Sequence, residues 1–131
     1  MKGDAVSTGA AVVFVTAASA EQAGLMAHAL VGERLAACVN IVSPLRSIYR
    51  WNDEVQTDSE HLMIIKTRAN LVSKIEARVK ELHGYEVPEV IALPIIAGAK
   101  SYLDWVFEST IAAPRAVRKG RRTTSTGRRN K

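Results

Sequence analysis

The chain has 131 residues, enough for one domain with a single core and no need of a covalent or metal staple. Apolar residues make up 47% and charged residues 24%, which excludes a disordered or fibrous chain, and aromatics at 5% leave the core to Ala, Val, Leu and Ile. The net charge of +5 belongs to the C-terminus: eight basic residues and no acid lie from Ala112 onward, so the remainder holds 10 basic against 13 acidic residues, a net of −3.

Residues 1 to 10 are small and polar and are expected to form a disordered leader. GAAVVFVTAASA (9 to 20) has the look of a signal-peptide apolar region, but Lys2 and Asp4 cancel in front of it and Thr16 interrupts it. Ala11 to Ala17 instead predicts a buried strand, being rich in β-branched residues. Ser19 and Gln22 have capping-box spacing and open a helix whose stripe is Ala23, Ala27, Leu30, Val31 and Leu35. Arg34 falls inside that stripe, where it can snorkel or meet the helix's last carbonyls; the helix should end between Leu35 and Ala37.

Cys38 to Trp51 reads as a long second strand, and Pro44 within it argues for an edge or a bulge. Asn52-Asp53 is a tight turn, and Glu54 to Arg68 returns as the third strand, so the two form a hairpin. Asn70 is a candidate N-cap for a second helix with the stripe Leu71, Ile75, Val79 and Leu82; His83-Gly84 ends it, with Gly84 as a left-handed cap. Glu89 to Ile96 predicts a fourth strand, broken by Pro94, and Lys100 to Thr110 a short third helix carrying Leu103, Phe107 and Ile111. The segment 112 to 131 is Arg-rich, without apolar period, and is expected to be disordered.

The order βαββαβ plus a C-terminal helix predicts an α+β, ferredoxin-like split βαβ fold over residues 11 to 111: an antiparallel sheet in the order 4-1-3-2 with helices on one face. Strand four is then an edge, where Pro94 is tolerated. Leu62 and Ile64 point to one face and Met63 and Ile65 to the other, so the face without helices is also apolar and needs a cover, for which a second subunit is expected.

No phosphate-binding, dinucleotide-binding, zinc-protease or hydrolase motif is present. Cys38, the only cysteine, excludes an internal disulfide and fits a reducing compartment; it could be core, ligand or nucleophile, with His83 as base in the last case. His83, Tyr85, Glu86 and Glu89 lie within seven residues, held by Gly84 and Pro88, in the manner of a functional loop on a rigid scaffold. Lys66 on an apolar strand faces a rim or a polar pocket, and Tyr49 and Trp51 near the hairpin turn are candidate interface anchors.

ERLAACVNIV (33 to 42), SIYRWNDEV (47 to 55), MIIKT (63 to 67), HGYEVPEVIALPI (83 to 95) and SYLDWV (101 to 106) follow in an order and spacing that resembles the CutA family of divalent-cation tolerance proteins. The resemblance implies a ferredoxin-like subunit in a homotrimer similar in architecture to PII-type signalling trimers. It implies a non-enzymatic, cytoplasmic protein of divalent-cation, notably copper, tolerance, with no obligatory cofactor and no membrane partner. The matching positions Cys38, Trp51, Lys66, Tyr85 and Glu89 are then expected to bind ligand in an intersubunit cleft, with His83 as metal ligand. Two copper-associated positions of the family differ, reading Val15 and Leu82 here. A fixed charge at Lys66 also suits an anion, so a PII-like sensor of a small anionic metabolite is the alternative. Nucleic acid held through the basic tail is the least favoured partner.

Overall fold

The structure, a computed structural model, describes residues 7–112; the expected leader, save positions 7–10, and the basic tail beyond Ala112 lie outside the described residues. The elements run β1 (Ala10–Ala17), α1 (Ala20–Gly32), β2 (Cys38–Trp51), β3 (Glu54–Arg68), α2 (Val72–Leu82), β4 (Val90–Pro94) and α3 (Lys100–Ser109). The four strands form one antiparallel sheet in the order β2-β3-β1-β4, the expected split βαβ arrangement with both outer strands as edges.

Alternation along β1 and β3 sorts side chains between two faces. Val13, Val15 and Ala17 meet Met63 and Ile65 on the face covered by α1 and α2, and all five are buried with Ala23, Met26, Leu30, Ile75 and Val79. The other face carries Val12, Phe14, Leu62 and Ile64, flanked through the pairs Val42↔Leu62, Ile91↔Phe14 and Leu93↔Val12. Val42, Ile91 and Leu93 are 45%, 54% and 52% exposed, so this second face is apolar and largely uncovered in the single chain. One end of it is occupied: Arg68 reaches the end of α3 through Phe107 O at 2.6 Å and Thr110 Oγ1 at 2.9 Å.

Both prolines of the outer strands sit where the ladder can spare a donor. Ile95 N donates to Ala10 O at 3.0 Å, and Thr8 N donates to Ile95 O at 3.1 Å. Alternate amides of an edge strand point away from its neighbour, so the nitrogen of Pro94 faces the open side. In β2 the register shifts between Val42 and Leu45, a bulge that absorbs Pro44. The hairpin turn has φ of 51° at Asn52 and 64° at Asp53, the left-handed pair that matches strand twist.

Helix ends depart from expectation where tertiary contacts intervene. Ser19 caps α1 as expected, its Oγ accepting from Gln22 N at 3.0 Å. However, α1 ends at Gly32, Val31 is exposed, and the buried stripe is Ala23, Met26 and Leu30. Arg34 turns left-handed, with φ 63°, and its guanidinium donates to Glu108 O of α3 at 3.0 Å, not to the carbonyls of α1. Asn70 does not cap α2; it lies in a 3-10 turn, Ala69–Leu71, that precedes the helix. Gly84 has no left-handed backbone: His83 is the C-cap, in an extended conformation, and its N–H donates to Val79 O at 2.7 Å. The third helix buries Val106 most deeply, while Ile111 is exposed.

Candidate functional site

His83 leaves α2 with its ring turned back onto β1. Nε2 lies 2.6 Å from Thr16 O, and Tyr85 N donates to Nδ1 at 3.0 Å. A carbonyl only accepts and an amide only donates, so the pattern assigns the proton to Nε2 and a lone pair to Nδ1. Both nitrogens are then in use, and the ring stands 4.6 Å from that of Tyr85. The effect is to clamp the segment after α2 against β1.

That clamp carries Tyr85 to β3, where its hydroxyl donates to Glu60 Oε2 at 2.6 Å. Glu60 is buried, 8% exposed, although it belongs to the polar half of β3. Burial, and then the hydrogen bond to Glu60, hold the Tyr85 hydroxyl well above the ordinary tyrosine range. On the hairpin, Tyr49 donates to Asp58, which raises its pKa as well.

Between this segment and the hairpin lies a cavity of about 520 Å³, a size ordinary for a small-molecule site. Its wall is made by Thr16 of β1, the hairpin residues around Tyr49 and Trp51, Glu60 of β3, and Glu86, Val87 and Glu89 of the loop. The wall holds three carboxylates and no lysine or arginine. Among the described residues no group of three or more His, Cys, Asp or Glu side chains is close enough together to share a metal ion.

Of the residues expected to act, Trp51, Tyr85 and Glu89 line the cavity and His83 positions its loop. Lys66 and Cys38 lie elsewhere. Lys66 is paired across the sheet with Cys38, and its ammonium donates to Asn40 Oδ1, the atom that also faces the Cys38 thiol at 3.7 Å. Six residues of strand separate Lys66 from Glu60, about 20 Å. Cys38 and His83 likewise do not meet as a nucleophile and base within one chain. Cys38 sits opposite Lys66, while Thr16, the partner of the His83 ring, sits opposite Leu62, about 13 Å along β3. Val15 is buried in the core, and Leu82 packs against it.

Glu60, Thr16 and Asp58 were missed by the sequence reading. Glu60 had a signal: it shares the alternation of Leu62 and Ile64, so the period of two puts it on their face. The Thr16 role belongs to a backbone carbonyl and leaves no trace in residue type.

An α+β subunit with this sheet order, whose loop after the second helix closes an acidic cleft against a long hairpin, defines a ferredoxin-like protein. Comparison with known proteins narrows the class. The family model described as CutA1 divalent ion tolerance protein matches residues 11–109, and the chain belongs to that family. The divalent-cation tolerance protein CutA of Thermus thermophilus is 54% identical over 99 residues, 76% of this chain and 96% of that protein. The crystal structure of CutA1 from Oryza sativa superposes with a TM-score of 0.79 at 45% identity, covering 82% of this chain and 99% of that one. A structure described as the periplasmic divalent cation tolerance protein CutA from Archaeoglobus fulgidus gives a TM-score of 0.74 at 37% identity, covering 76% of this chain and 97% of that one. No helix among the described residues is long and apolar enough to cross a membrane.

Proposed function

We propose that this protein serves divalent-cation tolerance as a non-catalytic, cytoplasmic homotrimer that takes up a cation in the cleft between hairpin and loop. The observation that carries this reading is the cleft wall, with Glu60, Glu86 and Glu89 and no basic side chain. Such a wall attracts positive charge and repels anions. The trimer is supported by the uncovered apolar face, and a reducing location by Cys38 as an unpaired thiol.

His83 would be free to bind metal through Nδ1 only if the loop gave up the hydrogen bond from Tyr85 N, since Nε2 carries the proton given to Thr16 O. We therefore assign His83 to positioning the loop and the carboxylates to the cation. The anion-sensing alternative depends on Lys66, which could reach the cleft only from a neighbouring subunit.

Calorimetry on the assembled protein with copper, other divalent ions and small organic anions tests this. Loss of metal binding in the double variant Glu86→Gln/Glu89→Gln, with no anion binding, is the expected result. Metal binding that survives this variant but disappears in His83→Ala would return the ligand role to the ring. Tight anion binding lost in Lys66→Ala would replace the reading by the sensor.

A further inference from the structure

The cleft's lining also specifies the kind of cation. A bare divalent ion needs donors that converge: copper prefers imidazole or thiolate, and hard ions take six or more oxygens at 2 to 3 Å, roughly. The three carboxylates of this cleft belong to β3 and to two positions of the loop, and they do not converge on one point. What lies between them is apolar and aromatic: Ile48, Tyr49, Trp51, Tyr85 and Val87. The two tyrosine hydroxyls already donate to Asp58 and Glu60, so the tyrosines have ring surface left to offer. Glu60 adds an independent sign of an absent partner. It is buried, one oxygen accepts from Tyr85, and the other makes no hydrogen bond among the described residues, while the side chain lines the cavity. A mostly buried carboxylate with one oxygen left undonated offers an acceptor to a ligand or water in the cavity.

We propose that the cleft binds an aliphatic diamine or polyamine, its apolar chain along Trp51, Tyr49 and Tyr85 and its ammonium ends on Glu60 and on Glu86 or Glu89. This rests on the reading of the cleft as a cation site and names the cation's class. Separated acids on an aromatic floor fit separated charges on a methylene chain: ammonium groups gain from carboxylates and from ring faces together, and the methylenes gain from burial. The cavity's volume accommodates such a chain with room for water.

The test is calorimetry on the full-length, assembled chain with 1,4-diaminobutane, spermidine, butylamine, 1,4-butanediol and copper chloride. The diamine is expected to bind about tenfold or more tightly than butylamine, and the diol not at all. Glu86→Gln/Glu89→Gln should weaken the diamine about tenfold, and Trp51→Leu severalfold. All three positions are exposed, and sedimentation of each variant confirms that it keeps its assembly. Diamine affinity no better than that of butylamine, or unaltered in either variant, overturns the proposal. Copper binding lost in the glutamate variant, with no diamine binding, would leave the metal reading standing and sink this one. Binding of neither would remove both.

Discussion

At the scale of single residues, the site is held together by hydroxyls and one imidazole that would each be unremarkable on a surface. Tyr85, Tyr49 and Tyr102 are all pushed above the ordinary tyrosine value of 10.0, Tyr85 first by burial, Tyr49 first by its bond to Asp58, and Tyr102 first by burial. The ultraviolet absorbance of tyrosinate should therefore appear later in the folded protein than in the protein unfolded by urea. Stability follows the same sign. Below pH 10 both states keep the Tyr85 proton; above it the unfolded chain releases the proton first, so stability falls with rising pH. Tyr85→Phe should flatten that fall, as measured by urea midpoints across the alkaline range. A slope unaltered by Tyr85→Phe would show that this hydroxyl does not keep its proton longer in the folded state.

At the scale of elements, the hairpin and the helix ends divide what a sequence can reveal from what it cannot. Both hairpin strands were legible to the residue, Cys38–Trp51 and Glu54–Arg68, because the turn dipeptide and the change from polar to apolar alternation are local signals. The ends of α1 and α2 were not. Ala37 N donates to Lys66 O at 2.9 Å, so the chain after Gly32 is drawn into the sheet before another turn of helix can form. Gly84 looked like a left-handed cap, but the His83 ring bonds pull the chain out extended instead. Candidate site residues show the same division. HGYEVPE announced itself by density, whereas Glu60 was hidden in a polar run and is buried only once Tyr85 folds over it. The turn itself offers a prediction. Asp53 pays a modest left-handed penalty that glycine avoids, so Asp53→Gly should raise stability by a few tenths to about 1 kcal/mol. A lowered urea midpoint would mean that the Asp53 side chain, and not its backbone, matters there.

At the scale of the whole molecule, one sheet face is buried under α1 and α2 while the other shows Ile91, Leu93 and Val42 to solvent. That face is the surface the proposed assembly would cover. Leu93→Glu places a charge on its β4 margin, and sedimentation at micromolar concentration should show the oligomer dissociating toward monomer with the fold intact by circular dichroism. An oligomer of unchanged strength would show that the face is not the interface. Lys66 and Cys38 were grouped with the cleft by the family pattern, yet within one chain they sit at the opposite end of this face. Sequence alone could not see that separation, because strand length becomes distance only in the folded sheet.

The His83 clamp has a consequence for motion. The ring ties Tyr85 to β1 and leaves Glu86 and Val87 exposed beyond it. In amide hydrogen exchange the Tyr85 N–H should be protected to a degree that approaches the strands, while its two neighbours exchange like open chain. The loop is thereby split into a half that keeps time with the sheet and a half that opens on its own, and the cleft can widen at its acidic lip without the core taking part.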